Sequence, residues 1–492
     1  MTDQARPRPR GRRAHRIYTV GVFVLLAALD NVAIALPPPL LSPISRELDV
    51  AEPSVATAVA ASFLVTAVAA VGWAYLGDRS ERKRLLLAGT LVWAAGVGAA
   101  SLATAFPAFA VAVLAAALGL GAVASVGYSV VTDLVPPHRR GLVMGLWGLS
   151  QGLGSLVGVG LAGILGAADW RVPFRVLAVT GLAASVAYLF TAPIRRGESE
   201  PELAGAYHAS AIDEPRIRAR DLPQLVRRRT NVWLSAQGLT AQVAFGSLFW
   251  LPRLLQAKAE ALGYSEPTAI VIGSMFTVLV FGGGVLSLVG GLVGDRLQRR
   301  TPRGRALVAA VGVLAAVPLF VGLVFVPLRI DLPTSETDRG AVVVGVLRSL
   351  VTEPSLGLSF LVALVAIGLV SANSPNWYAL IAEVNPPEHR GTAFSVGNLV
   401  NGVGRTIGAD LTVRTFDALG RALPPPANYA VGLAIFQLFF VPTGIMFWLA
   451  SRTAPRDIAT VRGMLRTRAA AAAAESAPGG DAGVGRPTHP QG

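Results

Sequence analysis

Cysteine is absent from the 492 residues, which excludes a disulfide framework and any thiolate-held metal. Charge is scarce as well. Asp, Glu, Lys and Arg make up 15% of the chain, against roughly a quarter in soluble domains. The five histidines, His15, His138, His208, His389 and His489, fall outside the apolar runs, so a histidine proton relay in the hydrocarbon is not expected. Ten-residue alternating segments, the mark of a membrane β-barrel, are missing. No strand precedes the runs Gly152-x-Gly154-x-x-x-Gly158 and Gly402-x-Gly404-x-x-x-Gly408, and no lysine follows them. They therefore read as close helix packing and not as phosphate loops. Without a nucleotide motif no cofactor or metal is expected.

Apolar runs are plentiful instead: 53% of residues are hydrophobic. Runs of spanning length lie at 17–40, 55–76, 85–105, 108–134, 141–166, 173–193, 231–256, 267–294, 304–328, 355–383, 391–415 and 428–451. Inside a bilayer a backbone must satisfy its own hydrogen bonds, so each run is expected to be a helix. The expected architecture is all-α, a polytopic membrane protein with about twelve transmembrane helices in two six-helix bundles. The expected domains are a basic cytoplasmic N-terminus (1–16), an N-terminal bundle (17–193), a cytoplasmic linker (194–230), a C-terminal bundle (231–451) and a disordered cytoplasmic tail (452–492). The basic N-terminus lacks a small-residue cleavage site, so no removed signal peptide is expected.

The net charge of +14 is placed unevenly. Arg6, Arg8, Arg10, Arg12, Arg13 and Arg16 precede span one, Arg79, Arg82, Lys83 and Arg84 follow span two, and Arg296, Arg299, Arg300, Arg303 and Arg305 follow span eight. Twelve threaded spans put these loops on one side, which the positive-inside rule makes the cytoplasm. A multi-pass protein of the cell membrane with both termini cytoplasmic follows, and a nucleic-acid partner does not.

A duplication is the most informative feature. Gly77-Asp78-Arg79-Ser80-Glu81-Arg82-Lys83 after span two matches Gly294-Asp295-Arg296-Leu297-Gln298-Arg299-Arg300 after span eight, 217 residues on. Asp133 through Pro136-Pro137 to Arg140-Gly141 matches Glu383 through Pro386-Pro387 to Arg390-Gly391, 250 residues on, and Gln151-Gly152-Leu153-Gly154 matches Asn401-Gly402-Val403-Gly404. Corresponding loops in two halves indicate a parallel repeat. In the expected cytoplasmic gate, Gly77 and Gly294 let backbones approach and Asp78 and Asp295 face helix N-termini. Arg79, Arg82, Arg140, Arg296, Arg299 and Arg390 are then available to bridge to Asp133 and Glu383 and hold that side closed.

The repeated G-D-R-x-x-R loop resembles the signature of the major facilitator superfamily over roughly 17–451. The resemblance implies alternating access by two rocking bundles around a cavity lined by spans one, four, seven and ten. Leu29-Asp30, Tyr75-Leu76-Gly77, the stretch from Leu239-Thr240-Ala241 to Leu251-Pro252, Thr301-Pro302-Arg303 and Asn376-Trp377 resemble the Spinster branch. That branch moves lysophospholipids and related amphipathic lipids by proton-linked or facilitated transport. Two departures stand out. Gly119-Leu120-Gly121-Ala122 is neutral where the branch has a fourth-span acid, and Ala115 replaces an arginine usual one turn earlier.

Charge in the bilayer centre costs at least about 2.5–3.5 kcal/mol on insertion scales, so each such residue is a functional candidate. Asp30 and Arg405 lie at comparable depth in spans one and eleven, roughly 20 Å along each helix at 1.5 Å per residue. Asp30 is expected to titrate protons and Arg405 to attract an anionic headgroup. The structural alternatives are a polar cap on a kinked helix for Asp30, and a fixed pair with Asp410 or Asp30 for Arg405. Asp410 itself is nearer the outer end, where it can snorkel to water. Asn31, Gln237, Gln242, Asn373, Asn376 and Trp377 are further candidates for the substrate wall, with interhelical hydrogen bonding as their alternative role.

A secondary transporter of an amphipathic molecule or lysolipid is the expected function, with substrate, protons and membrane lipids as partners and a monomer as the working unit. A proton-coupled drug or metabolite antiporter is the other transport reading. A multispan enzyme would need a His/Asp or paired-acid constellation, which the sequence does not supply. Because the chain has no native cysteine, single cysteines placed in the two G-D-R segments are specific reporters. Both are expected to react with a membrane-impermeant maleimide from the same face of the bilayer.

Overall fold

The computed structural model describes residues 10–77, 81–123, 125, 137–191 and 228–476. No strand occurs among them. In the N-terminal half the helices are α1 (Arg10–Ala35), α2 (Leu41–Glu47), α3 (Glu52–Gly77), α4 (Arg82–Ser101), α5 (Phe106–Ala122), α6 (Pro137–Gly166) and α7 (Arg171–Leu189). The C-terminal half carries α8 (Arg229–Leu248), α9 (Leu251–Ala261), α10 (Glu266–Gly282), α11 (Ser287–Arg300), α12 (Gly304–Phe325), α13 (Arg339–Thr352), α14 (Pro354–Ser371), α15 (Asn373–Val384), α16 (Pro387–Gly420), α17 (Ala427–Gln437) and α18 (Phe440–Ser476).

Helix occurs at all twelve expected positions, and eight helices are long and apolar enough to cross a bilayer. Two shorter apolar helices, Phe106–Ala122 and Gly152–Gly166, stand where spans four and five are expected. The helices at spans seven and eleven carry Gln237, Gln242, Asn398, Asn401, Arg405 and Asp410, and so fall below that apolarity. Polar content of this kind suits helices that face other helices or an aqueous cavity.

Glycine sets the packing within each half. A side chain at Gly154 or Gly158 of α6 would overlap the carbonyl oxygens of Ala28 and Val32 in α1. A side chain at Gly404 or Gly408 of α16 would overlap those of Leu239 and Val243 in α8. The two crossings are copies: the glycines are 250 residues apart and their carbonyl partners 211 apart. Backbone meets backbone because no Cβ intervenes, the close approach that small residues give membrane helices.

Between the halves, α3 packs on α16 and α6 on α10. The hydrogen bonds and ion pairs joining the halves across described residues lie at the end opposite the G-D-R segments, called here the outer end. They are Arg46–Glu266, Glu52–Arg253, Thr57–Asp410, Thr57–Arg414, Gln256 to the Pro39 carbonyl, and Arg339 to the Ile164 carbonyl. At the basic end, described pairs stay within a half, such as Lys83 to the Leu189 and Thr191 carbonyls and Arg305 with Glu383.

Several expectations are corrected. The first helix begins at Arg10, earlier than the start of span one at residue 17, because no proline or glycine run interrupts it after Pro9. The second G-D-R copy is not a loop: Gly294–Arg300 continues α11 to its end. The tail is helical through Ser476 and accommodates Pro455 within the helix, consistent with the high helix propensity of Ala469–Ala474 and with no further proline before Pro478. Span eight is interrupted by a 3-10 turn at Gly283–Leu286. The extra helix α13 between spans nine and ten was not foreseen. Asp338 caps it by accepting from Ala341 N at 2.8 Å, and Pro354 follows its end. Those two residues were the available signal.

The glycine crossings give a direct stability test. Gly404→Val and Gly408→Val force overpacking that typically costs about 1–3 kcal/mol. Gly152→Ala, where a Cβ meets nothing within 4 Å, is expected to be neutral by comparison. Thermal unfolding of the purified variants in one detergent checks the order.

Candidate substrate site and gates

Arg405 lies in α16 one turn inward from the outer seal. Its guanidinium stands 4.7 Å from the Phe63 ring centroid of α3 and 5.7 Å from that of Phe249, at the end of α8. The two rings meet edge to face at 5.1 Å. Phe63 comes from one half, Arg405 and Phe249 from the other, so the cluster floors the closed seam. Cation–π contact with an aromatic face is worth about 0.5–2 kcal/mol depending on desolvation. It leaves the guanidinium donors without a carboxylate among the described residues, and Nε has no hydrogen-bond partner.

The fixed pair considered for Arg405 is absent. Asp410 instead accepts from Thr57 across the seam and from Arg414 Nε at 2.8 Å, and so does not simply reach for water. Asp30 is 6% exposed, and its Oδ1 has no partner among the described residues. It sits inside α1, five residues before the helix ends at Ala35. The carbonyls of Ala28 and Val32, around Asp30 in sequence, press on α6 at Gly154 and Gly158. No ion pair joins Asp30 to Arg405.

The polar candidates divide. Gln242 lies beside Gly404 in the α8–α16 crossing and is partly exposed, as is Asn31. Gln237 is buried, its Nε2 donates to the Leu234 carbonyl at 3.0 Å, and its Oε1 has no partner. Asn373 is buried at the start of α15. Asn376 and Trp377 have structural contacts. Asn376 Nδ2 donates to the carbonyls of Gly290 and Ala372 at 3.2 and 2.8 Å, and its Oδ1 fills the space a Gly294 side chain would need. Trp377 donates to the Leu234 carbonyl at 3.1 Å and packs on Phe394. These contacts tie span ten to spans seven, eight and eleven, so the pair serves interhelical packing.

In the second G-D-R cluster, at the basic end, Arg305 is the hub. It binds Asp295 at 2.8 Å and also Glu383, which takes Gln298 at 2.7 Å. The bridge therefore reaches Glu383 from Arg305, while Arg296 and Arg299 have no ion pair among the described residues. Helix geometry explains the miss: the motif continues α11, and Arg305 approaches from the first turn of α12. Asp78, Arg79 and Asp133 lie outside the described residues, as do the side chains of Arg82, Arg140 and Arg390. Gly77 closes α3.

The ion cluster at the outer end was not foreseen. Arg253 of α9 is 8% exposed, lies 3.3 Å from Glu52 across the seam and 3.4 Å from Glu260, and stacks 4.8 Å from the Tyr429 centroid. Ala122, at the neutral fourth-span position, is fully buried, with its Cβ overlapping the place a Gly89 side chain would take. A carboxylate has no room there.

Two helical halves, packed by repeated crossings and sealed at one end around an internal arginine with no carboxylate partner among the described residues, point to a class: a polytopic membrane transporter. The Major Facilitator Superfamily profile matches residues 20–409, and the chain belongs to that superfamily, a family of transporters and not of enzymes. Its relatives include the sphingosine-1-phosphate transporter SPNS2 of Xenopus tropicalis, 30% identical over 53% of this chain and 50% of the relative. Protein spinster of Drosophila melanogaster is 25% identical over 63% of this chain and 51% of its own length. The chain thus spans about half the length of the curated relatives it matches. Among solved structures, a bacterial homologue of the human lysosomal transporter Spinster, inward-facing and unoccupied, superimposes with a TM-score of 0.70 at 17% identity, covering 90% of this chain and 98% of that one. A D-xylose–proton symporter gives 0.59 at 14% identity, covering 88% and 97%. The Spinster resemblance read from the motifs is borne out.

The outer ion pairs differ in burial, which orders their effects. Losing one partner of a buried pair costs about 3–5 kcal/mol, whereas exposed pairs contribute about 0–1 kcal/mol. The Arg253 side chain is 10% exposed and that of Arg46 is 64% exposed. Arg253→Ala is therefore expected to lower the thermal midpoint well beyond Arg46→Ala in the same detergent.

Proposed function

We propose that the protein moves an amphipathic molecule with an anionic headgroup, of the lysolipid type, across the cytoplasmic membrane by alternating access linked to protons. The observation that carries this reading is Arg405. It is a spanning-helix guanidinium held on two aromatic rings with no carboxylate among the described residues to neutralise it. A phosphate or carboxylate headgroup meets its free donors in charge-assisted hydrogen bonds. The rings of Phe63 and Phe249 offer apolar surface beside it for the start of a chain. Gln237, Gln242 and Asn31 are the neutral polar groups of the same site, and Asn373 belongs with them by position. The phosphate named in the SPNS2 relative's substrate is chemistry that such a cation suits.

Asp30 is the proton carrier in this proposal, as a buried carboxyl group inside α1 whose Oδ1 has no partner among the described residues. The basic end faces the cytoplasm by the positive-inside rule, with both termini there. Arg305 with Asp295 and Glu383, together with the first-copy residues Asp78, Arg79, Arg82, Asp133 and Arg140, latches the cytoplasmic side when the outer side opens. The working unit is a monomer. The second reading, a proton-coupled drug or metabolite antiporter, is favoured by one observation: Ala122 occupies the position where the lipid-transporting branch carries an acid.

Accumulation of a labelled anionic lysophospholipid in proteoliposomes, with and without an imposed pH gradient, tests the proposal. Arg405→Ala is expected to raise the half-saturating concentration at least tenfold, the loss of about 1.4 kcal/mol of binding. Arg405→Lys should fall between. Asp30→Asn should abolish the response to the pH gradient. Unchanged gradient dependence in that variant would eliminate the role of Asp30, and preferential transport of neutral or cationic drugs would favour the second reading.

A further inference from the structure

At the basic end, between the start of α12 and the exit of α18, lies a cavity of about 380 Å³ lined by Arg303, Leu307, Trp448, Ser451 and Arg452. It is remote from the outer seam, and none of its residues takes part in the transport reading. Two features give it a chemical character.

The first is charge. Arg303 is the N-cap residue of α12, and the Arg452 guanidinium lies 3.9 Å from the centroid of the Trp448 ring. Neither arginine has a carboxylate partner among the described residues. Nearby acids are engaged elsewhere: Asp295 and Glu383 by Arg305, and Asp457 by the backbone amide of Thr230 at 3.1 Å. Two guanidinium groups therefore share one concave site with no balancing carboxylate among the described residues.

The second is the surface beneath. Val441, Ile445 and Trp448 of α18 are exposed at spacings of four and three, and Arg452 follows by four. Val311 and Leu314 of α12 are also exposed, and Leu307 and Arg303 precede Val311 at spacings of four. Gly444 faces Leu314, where a side chain would overlap it, so the helices run together. Two lipid-facing apolar stripes thus descend side by side, each topped by an arginine at the depth where Trp448 marks the interface. A cation over an apolar track is the complement of a phospholipid: acidic headgroup above, acyl chains below.

We propose that this cavity is a binding site for one anionic phospholipid of the leaflet at the basic end, its phosphate between Arg303 and Arg452 and its chains along the Val311–Leu314 and Val441–Ile445 stripes. The lipid bridges spans nine and twelve as a structural ligand and not as cargo.

The test uses the full chain in nanodiscs of phosphatidylcholine with or without phosphatidylglycerol, reading the thermal midpoint, and native mass spectrometry of the same protein to count retained lipid. Phosphatidylglycerol is expected to raise the midpoint and to stay bound. Arg303→Ala/Arg452→Ala should lose at least half of that rise and the retained lipid, with an unchanged midpoint in phosphatidylcholine alone. Arg303→Lys/Arg452→Lys should keep most of both. Arg462→Ala/Arg466→Ala, which removes exposed arginines farther along α18, should keep all. Should the alanine variant not fold, Arg303→Gln and Arg452→Gln singly are expected to lose part of the retained lipid. Full retention by the alanine or glutamine variants would overturn the proposal, as would equal loss in the Arg462/Arg466 control. An equal rise with inorganic phosphate in detergent would assign the site to a free anion and overturn the lipid.

Discussion

Backbone contact through glycine is the constraint on which the rest of the molecule depends. Lipid surrounds these helices with a medium as apolar as their own side chains, so burial supplies little drive for one helix to choose another. Close van der Waals approach must do that work. Gly154 and Gly158 bring α6 onto the carbonyls of α1, and Gly404 and Gly408 bring α16 onto those of α8. Each half is thereby a packed body that resists internal deformation. The halves meet at two seams, α3 against α16 and α6 against α10.

The seams carry a different chemistry. Their outer ends are joined by charge and hydroxyl contacts that form or break at modest cost, with the buried Arg253 cluster as the strongest member. The duplication is instructive in its failures. The residue of α8 that corresponds to Asp30 is Ala241, 211 positions on, and the residue of α6 that corresponds to Arg405 is Ser155, 250 positions back. Structural glycines repeat in both halves while each internal charge occurs once. The repeated glycines pack the two halves alike, and Asp30 and Arg405 set the halves apart.

Much of this was legible in the sequence. Helix positions followed from apolar runs, because lipid permits no other backbone solution for them, and the repeat located both G-D-R segments and the glycine crossings. What failed to show were interactions between residues distant in sequence. Arg305 supplanting Arg296 and Arg299 depends on how α12 packs on α11. Arg253 meeting Glu52 depends on closure of the seam. Asn376 and Trp377, polar or aromatic in a central span, were indistinguishable from substrate contacts until their carbonyl partners were placed. Arg405 was found because charge in hydrocarbon stands out, but its aromatic setting needed Phe63 from the other half.

The account's central claim is that two rigid halves are hinged between an outer seal and a basic-end latch. Spin-label distances measure it most directly, using Leu102→Cys/Leu262→Cys across the outer end and Arg84→Cys/Arg300→Cys across the basic end. Adding an anionic lysolipid at varied pH should lengthen the first distance as the second shortens, while pairs within one half stay fixed. Lengthening of both together, or equal changes within a half, would contradict it.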